Sequence, residues 1–115
     1  VSKIAALLGK NDEARRYADL ALQIRDAFNR EFFDAQAGLY DGNTQTALSC
    51  ALYHGLVPPA AYPKVLDNLV AMIEQNDGHL DAGILGTKYL IDALTAGGRA
   101  DVVYTMATQT TYPSL

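Results

Sequence analysis

Only one cysteine, Cys50, occurs in this chain, so an internal disulfide is excluded and the compartment is left open. Long apolar runs are missing as well. None approaches the ~20 residues of a helical membrane span, and no membrane partner is expected. Basic clusters stop at Arg15-Arg16 and the net charge is −4, which argues against nucleic acid as a partner. No segment alternates apolar and polar residues convincingly, so no sheet is expected. Without strands there is no place for a strand-borne, Gly-rich phosphate loop. Two histidines and one cysteine at these spacings make no metal site, and no cofactor is implied. No signal peptide is visible, because Val1 opens directly on what reads as the tail of a helix over residues 1–8, cut at the boundary.

What is present is helical periodicity. The 115 residues, half of them apolar, suffice for one domain with a modest core. From Asn11 the run NDEARRYADLALQIRDAFNREFF is amphipathic, with Tyr17, Ala21, Ile24 and Phe28 on one stripe. Asn11 reads as its N-cap, with Asp12 and Glu13 in the positive first turn. TQTALSCALYHGL is apolar on nearly all sides and is expected to be buried. Pro58-Pro59 opens a third helix striped by Tyr62, Leu66, Leu69 and Ile73. A fourth helix, again apolar all round, is expected over about 83–96. Gly97-Gly98 ends it, and a fifth follows over about 99–108.

A repeat underlies this order. LLGKNDEARRY, HGLVPPAAY and GGRADVVY each end a buried helix at glycine and begin an amphipathic one carrying a tyrosine: Tyr17, Tyr62, Tyr104. The copies lie about 42–46 residues apart, the period of stacked antiparallel helix pairs. An all-apolar helix alternating with a one-sided helix implies an inner and an outer layer, in an open solenoid or a closed toroid.

The same alternation sorts the loops. The inner-to-outer turns at Gly9, Gly55 and Gly97-Gly98 share one end and carry little chemistry. The outer-to-inner loops, 33–43, 76–82 and the tail from Thr110, share the other. They hold Asp34, Tyr40, Asp41, Asn43, Asp77, His79, Asp81 and Tyr112, with Gln45 nearby. Aromatic faces beside carboxylates and amides suit a carbohydrate, although loops are polar in any case. Gly83 and Gly86 stand at the start of the fourth helix, where each costs roughly 1 kcal/mol relative to alanine. Either they let a ligand approach the backbone, or they let two helices pack closely.

GLYDGNTQTALSCALYHGLVP and GHLDAGILGTKYLIDALTAGGRADVVYTMATQTTYPS closely resemble bacterial α-L-rhamnosidases of glycoside hydrolase family 78. The resemblance covers nearly the whole chain. It implies an all-α fold of antiparallel hairpins in two layers, a partial arc of an (α/α)6 toroid, with 1–115 as about half of the six-hairpin catalytic domain. The most specific pieces are His79-Leu80…Gly83-Ile84-Leu85-Gly86-Thr87 and Gln109-Thr110-Thr111-Tyr112-Pro113-Ser114. A tryptophan and a glycine usually follow that serine in the family. Leu115 stands here instead, as a vector-derived residue or a cut just before the motif finishes would leave it. The resemblance further implies an inverting hydrolase acting on α-L-rhamnosides, in which one carboxylic acid protonates the leaving oxygen and a carboxylate activates water. In the family the acid lies upstream of this stretch and the base downstream of the tyrosine-proline-serine motif. The chain alone is therefore expected to hold no catalytic residue and to be inactive.

The residues expected to line a substrate are His79, Asp81, Gly83, Tyr40, Gln45 and Tyr112, each with a plainer alternative. A loop histidine is often a structural hydrogen-bonder. Asp81 sits where an N-cap belongs, the favoured reading. Asp41 suits the turn of YDGN. Asp34 and Asp77 read as solvated loop carboxylates, and Cys50 as an inert core thiol. A competing function is an α-helical repeat module of the HEAT or tetratricopeptide sort that binds protein. Its concave residues should be exposed, whereas these inner helices are almost wholly apolar. A partial toroid should also leave apolar edges near Val1, Ile4, Leu7 and Leu8 and near Val102, Val103 and Met106, through which the chain is expected to self-associate.

Overall fold

The computed structural model describes residues 1–114, so the reading of Leu115 lies outside the described residues. Two compact units divide the chain, Val1–Phe32 and the stretch beginning at Phe33. The first is a helix pair, α1 (Ser2–Leu7) and α2 (Asn11–Phe32). Helix α2 opens with the expected Asp12 and Glu13 in its first turn. Asn11 is its first helical residue rather than its cap, and the Lys10 carbonyl accepts from the Ala14 N–H at 2.9 Å. The stripe is present, but α2 fully buries no residue. Tyr17 and Phe28 are half-buried, and Ile24 is 57% exposed.

The second unit opens with a feature the sequence reading excluded. Strands β1 (Phe33–Asp34) and β2 (Leu39–Tyr40) pair antiparallel, Phe33 opposite Tyr40 and Asp34 opposite Leu39. Two residues per strand are too few to show alternation, so the ladder leaves no periodic signal. Its turn is held by side chains instead. The Asp34 carboxylate accepts from the Gln36 and Ala37 N–H groups, both at 2.9 Å. Asn68 donates to the Ala37 and Gly38 carbonyls at 3.0 and 2.8 Å, and Lys64 donates to the Gln36 carbonyl. The Phe33 and Tyr40 rings meet at 4.8 Å between centroids.

Four helices follow: α3 (Gln45–Tyr53), α4 (Tyr62–Gln75) after a 3-10 turn at Pro59–Ala61, α5 (Ile84–Ala96) and α6 (Ala100–Ala107). Thr44 caps α3, its hydroxyl accepting from the Ala47 N–H at 3.1 Å. Helices α3 and α5 lie side by side as an inner layer; α4 packs on α3 and α6 on α5 as the outer one. The core forms where they meet. Leu48, Val65, Leu69, Ile73, Leu90 and Leu94 are all essentially inaccessible. The fully buried Ser49 hydroxyl is satisfied by the Thr46 carbonyl at 3.1 Å.

The repeat seen in sequence is a repeat of helix endings. After α1, α3 and α5, one glycine N–H bonds the carbonyl three residues back and the next N–H reaches five back. The pairs are Gly9/Lys10, Gly55/Leu56 and Gly98/Arg99, a Schellman closure each time. All three glycines have positive φ, 72°, 66° and 78°, where a side chain would strain the backbone. In the third copy the left-handed residue is Gly98. Gly97 is kept small for another reason, since a Cβ there would sit 2.6 Å from Leu66.

The two expected raw edges differ. Val102 and Met106 are 7% and 3% exposed and Val103 is half-buried, because their side of α6 is the one that packs on α5. Val1, Ile4, Leu7 and Leu8 are 78%, 63%, 87% and 68% exposed. Only the first edge is bare.

Candidate functional site

Within the second unit, antiparallel packing gathers the N-termini of α3 and α5 and the C-termini of α4 and α6 at one end. Gln45 meets His79, Gly86 meets Thr46, and Gly78 meets Gln109 there. Gly97 lies at the opposite end, against Leu66 near the start of α4. His79 and Gly97 are thus separated as the two-layer reading requires.

Loop 76–82 is the centre of this end. It leaves α4 through two left-handed residues, Asp77 (φ 53°) and Gly78 (φ 73°). Three side-chain amides hold its backbone, one from α3, one from the loop itself and one from the stretch after α6. Gln45 Nε2 donates to the His79 carbonyl at 3.3 Å, and Gln45 Oε1 accepts from the Asp81 N–H at 2.9 Å. Asn76 Nδ2 donates to the same His79 carbonyl at 3.1 Å. Gln109 Nε2 donates to the carbonyls of Asp77 and Gly78 at 3.1 and 3.3 Å. The His79 ring is fixed as well. Nδ1 lies 3.2 Å from the Asn76 carbonyl, and Nε2 lies 2.9 Å from the Thr111 hydroxyl and 3.3 Å from the Thr111 carbonyl, so the ring is tethered on both sides, with the donor at each nitrogen set by the tautomer. Beside the loop a polar hollow of about 220 Å³ opens, its wall including Asn43, Thr44, Gln45, Gln75, Asn76 and Asp81.

Three of the expected residues therefore meet here, His79, Asp81 and Gln45, and Gly83 follows two residues on, at the start of α5. Their roles differ from the reading. Asp81 does not cap α5; Gly83 occupies the N-cap position, with extended backbone and no side chain to give. That leaves the Asp81 carboxylate exposed at the hollow. Gly83 has open space where a Cβ would lie, whereas Gly86 is buried and a Cβ there would be 2.6 Å from Thr46 Oγ1. Close helix packing explains Gly86. Gln45 is 5% exposed, with its amide engaged by the loop backbone. Tyr40 is 3% exposed and packs in the core beneath this end; burial pushes its phenol up to about 12. Tyr112 projects into solvent at 96% exposure, one residue beyond the Thr111 that holds His79.

Asp41 sits in a turn closed by Asn43 N–H to the Tyr40 carbonyl at 3.0 Å. Asp77 is exposed, while Asp34 serves the β-turn. Cys50 is half-buried, and burial raises its thiol. Among the described residues no cluster of three or more His, Cys, Asp or Glu could hold a metal. No helix of the described residues is long and apolar enough to cross a membrane. Sequence reasoning missed the structural part of Asn76, Gln109 and Thr111. The available signal was the presence of Gln109 and Thr111 in the tail motif and of Asn76 at the mouth of the loop.

A family model described as the bacterial alpha-L-rhamnosidase 6 hairpin glycosidase domain matches residues 1–115. The chain is 42% identical over 113 residues to an alpha-L-rhamnosidase of Streptomyces avermitilis, covering 98% of this chain and 11% of that protein. It is 38% identical to one from Alteromonas sp. (strain LOR), covering 97% and 12%. The crystal structure of the Streptomyces avermitilis enzyme complexed with L-rhamnose superposes with a TM-score of 0.92 over 98% of this chain. That of an alpha-L-rhamnosidase from Dictyoglumus thermophilum gives 0.90 at 40% identity, covering 98% of this chain and 13% of its own. The chain thus spans about a tenth of the length of these relatives.

Proposed function

The chain belongs to the family of bacterial α-L-rhamnosidase six-hairpin glycosidase domains, and from that premise we propose that it is a substrate-lining segment of an inverting α-L-rhamnosidase. Its three helix pairs, α1/α2, α3/α4 and α5/α6, would supply half of the six hairpins. The observation that carries the reading is the end built around loop 76–82, which falls in the most family-like stretch and gathers hydroxyl-binding groups. His79, Asp81 and Gly83 would face the sugar, with the exposed Tyr112 beside them. Gln45 and Tyr40 would stand behind them.

Inversion needs two carboxyl groups about 6.5–9.5 Å apart, one to protonate the leaving oxygen and one to activate water on the opposite face of the ring. Among the described residues Asp81 is the only carboxylate lining the polar hollow. The acid and base would therefore come from outside these residues, and the chain alone would not turn over.

An aryl α-L-rhamnoside tests both parts. The full-length protein should hydrolyse it and release the β-anomer of L-rhamnose first, seen by NMR before mutarotation. The isolated chain should give only background. First release of the α-anomer would overturn inversion. Turnover by the isolated chain, lost in Asp81→Asn, would place the catalytic pair here instead.

A further inference from the structure

Gln45 is a buried polar side chain in the first turn of α3, yet both ends of its amide serve residues more than thirty positions away. Nε2 holds the His79 carbonyl and Oε1 holds the Asp81 N–H, so one side chain brackets Leu80 from both sides. Few groups can do this. The position needs a donor and an acceptor side by side on one carbon, the arrangement that a primary amide or a protonated carboxyl presents. Gln45 stands in the wall of the hollow, but at 5% exposure both ends of its amide are engaged by the loop backbone. The residues it brackets are available: Asp81 is exposed at the hollow and the His79 ring is half-exposed. The direction of that ring depends on the loop backbone, since its Nδ1 and Nε2 are tied to Asn76 and Thr111 on either side.

We propose that Gln45 is a positioning residue, whose amide fixes the backbone of His79-Leu80-Asp81 so that His79 and Asp81 are presented to an α-L-rhamnoside in one arrangement. The proposal rests on the rhamnosidase reading above. Its chemistry is preorganisation: a binding group displaced by about 1 Å can lose roughly 100-fold in rate without losing the fold.

The test uses the full-length protein with Gln45→Glu and Gln45→Leu. Glutamic acid matches the amide in shape. Protonated, it can donate to the His79 carbonyl and accept from the Asp81 N–H; ionised, it has no donor and turns a negative charge on a carbonyl. The ratio of Gln45→Glu to wild-type kcat should therefore rise as pH falls through the titration of the new carboxyl. Gln45→Leu should stay about 10- to 100-fold below wild type at every pH. Amide hydrogen exchange at Asp81 should speed up in Gln45→Leu. A pH-flat Gln45→Glu ratio, or wild-type kcat in Gln45→Leu, overturns the proposal. Unchanged exchange at Asp81 also overturns it, whether or not the rhamnosidase reading survives. Absence of rhamnoside hydrolysis by the wild-type protein removes that reading, and the positioning role with it.

Discussion

A Cβ at Gly86 would lie 2.6 Å from Thr46 Oγ1, across the seam between α5 and α3. It would also lie 2.9 Å from the Ala82 Cβ, which no rotation can move. Thr46 is β-branched and stiff, so it has little room to yield. The two inner helices are as close as they are because this residue is glycine.

Gly86→Ala should therefore destabilise the fold despite a helix-propensity gain of about 1 kcal/mol. Overpacking of this kind costs typically 1–3 kcal/mol, with a net loss expected in the urea midpoint. Gly86→Ala combined with Thr46→Ala should recover part of that loss, because the two sites are in contact and couple. An unchanged or raised midpoint in Gly86→Ala would mean that the seam has slack.

Capping gives a paired comparison. Thr44 caps α3, and Thr44→Ala should cost about 1 kcal/mol. Asp81 caps nothing, because Gly83 holds the N-cap position of α5. Asp81→Ala should leave stability within about 0.5 kcal/mol, as surface changes usually do. Equal losses in the two variants would restore Asp81 as the cap.

This comparison also shows what the sequence made legible. Helices, layers and the buried stripe of Leu66, Leu69 and Ile73 follow from spacing, because period 3.6 is written into apolar positions. The glycine endings were visible as a repeat, although whether Gly97 or Gly98 turns left-handed depends on one residue of registry. The β1/β2 pairing was invisible, since its stability comes from Asp34, Lys64 and Asn68 rather than from its own pattern. The site was half legible. Loop 76–82 could be placed at the right end, but the roles of Gln45 and Gln109 depend on contacts spanning more than thirty residues, which leave no local trace.

Alkaline pH should weaken the fold through Tyr40. Its phenol is pushed by burial from 10.0 to about 12, so the unfolded chain releases this proton first. The contribution is whole below pH 10 and is lost as pH rises from about 10 to about 12, at up to roughly 1.4 kcal/mol per pH unit. Urea midpoints across that window should fall in the wild-type chain. Tyr40→Phe has no phenol to titrate and should show a shallower fall, with one phenolic step near pH 12 missing from its ultraviolet titration. Parallel slopes in the two proteins would show that the buried phenol does not carry the effect.

Association of the isolated chain should run through its first unit alone. Val1, Ile4, Leu7 and Leu8 are each more than half exposed, and an apolar groove of about 320 Å³ opens among Val1, Ile4, Ala5, Leu8 and Tyr17. A second hollow beside Leu20, Ala21 and Ile24 extends the same apolar surface along α2. Patches of this kind are seldom left in water, and a chain of this size has little stability to spare. Val102 and Met106 offer no matching edge, because α5 already covers them. Association through this patch makes the same surface meet itself, which closes a two-fold dimer rather than an open fibre. Sedimentation at micromolar concentration should therefore show a dimer that does not grow further. Ile4→Asp with Leu8→Asp should return it to monomer, while Val103→Asp should not. A monomer at these concentrations in the unsubstituted chain, or assemblies that grow without limit, would refute this edge as the point of self-association.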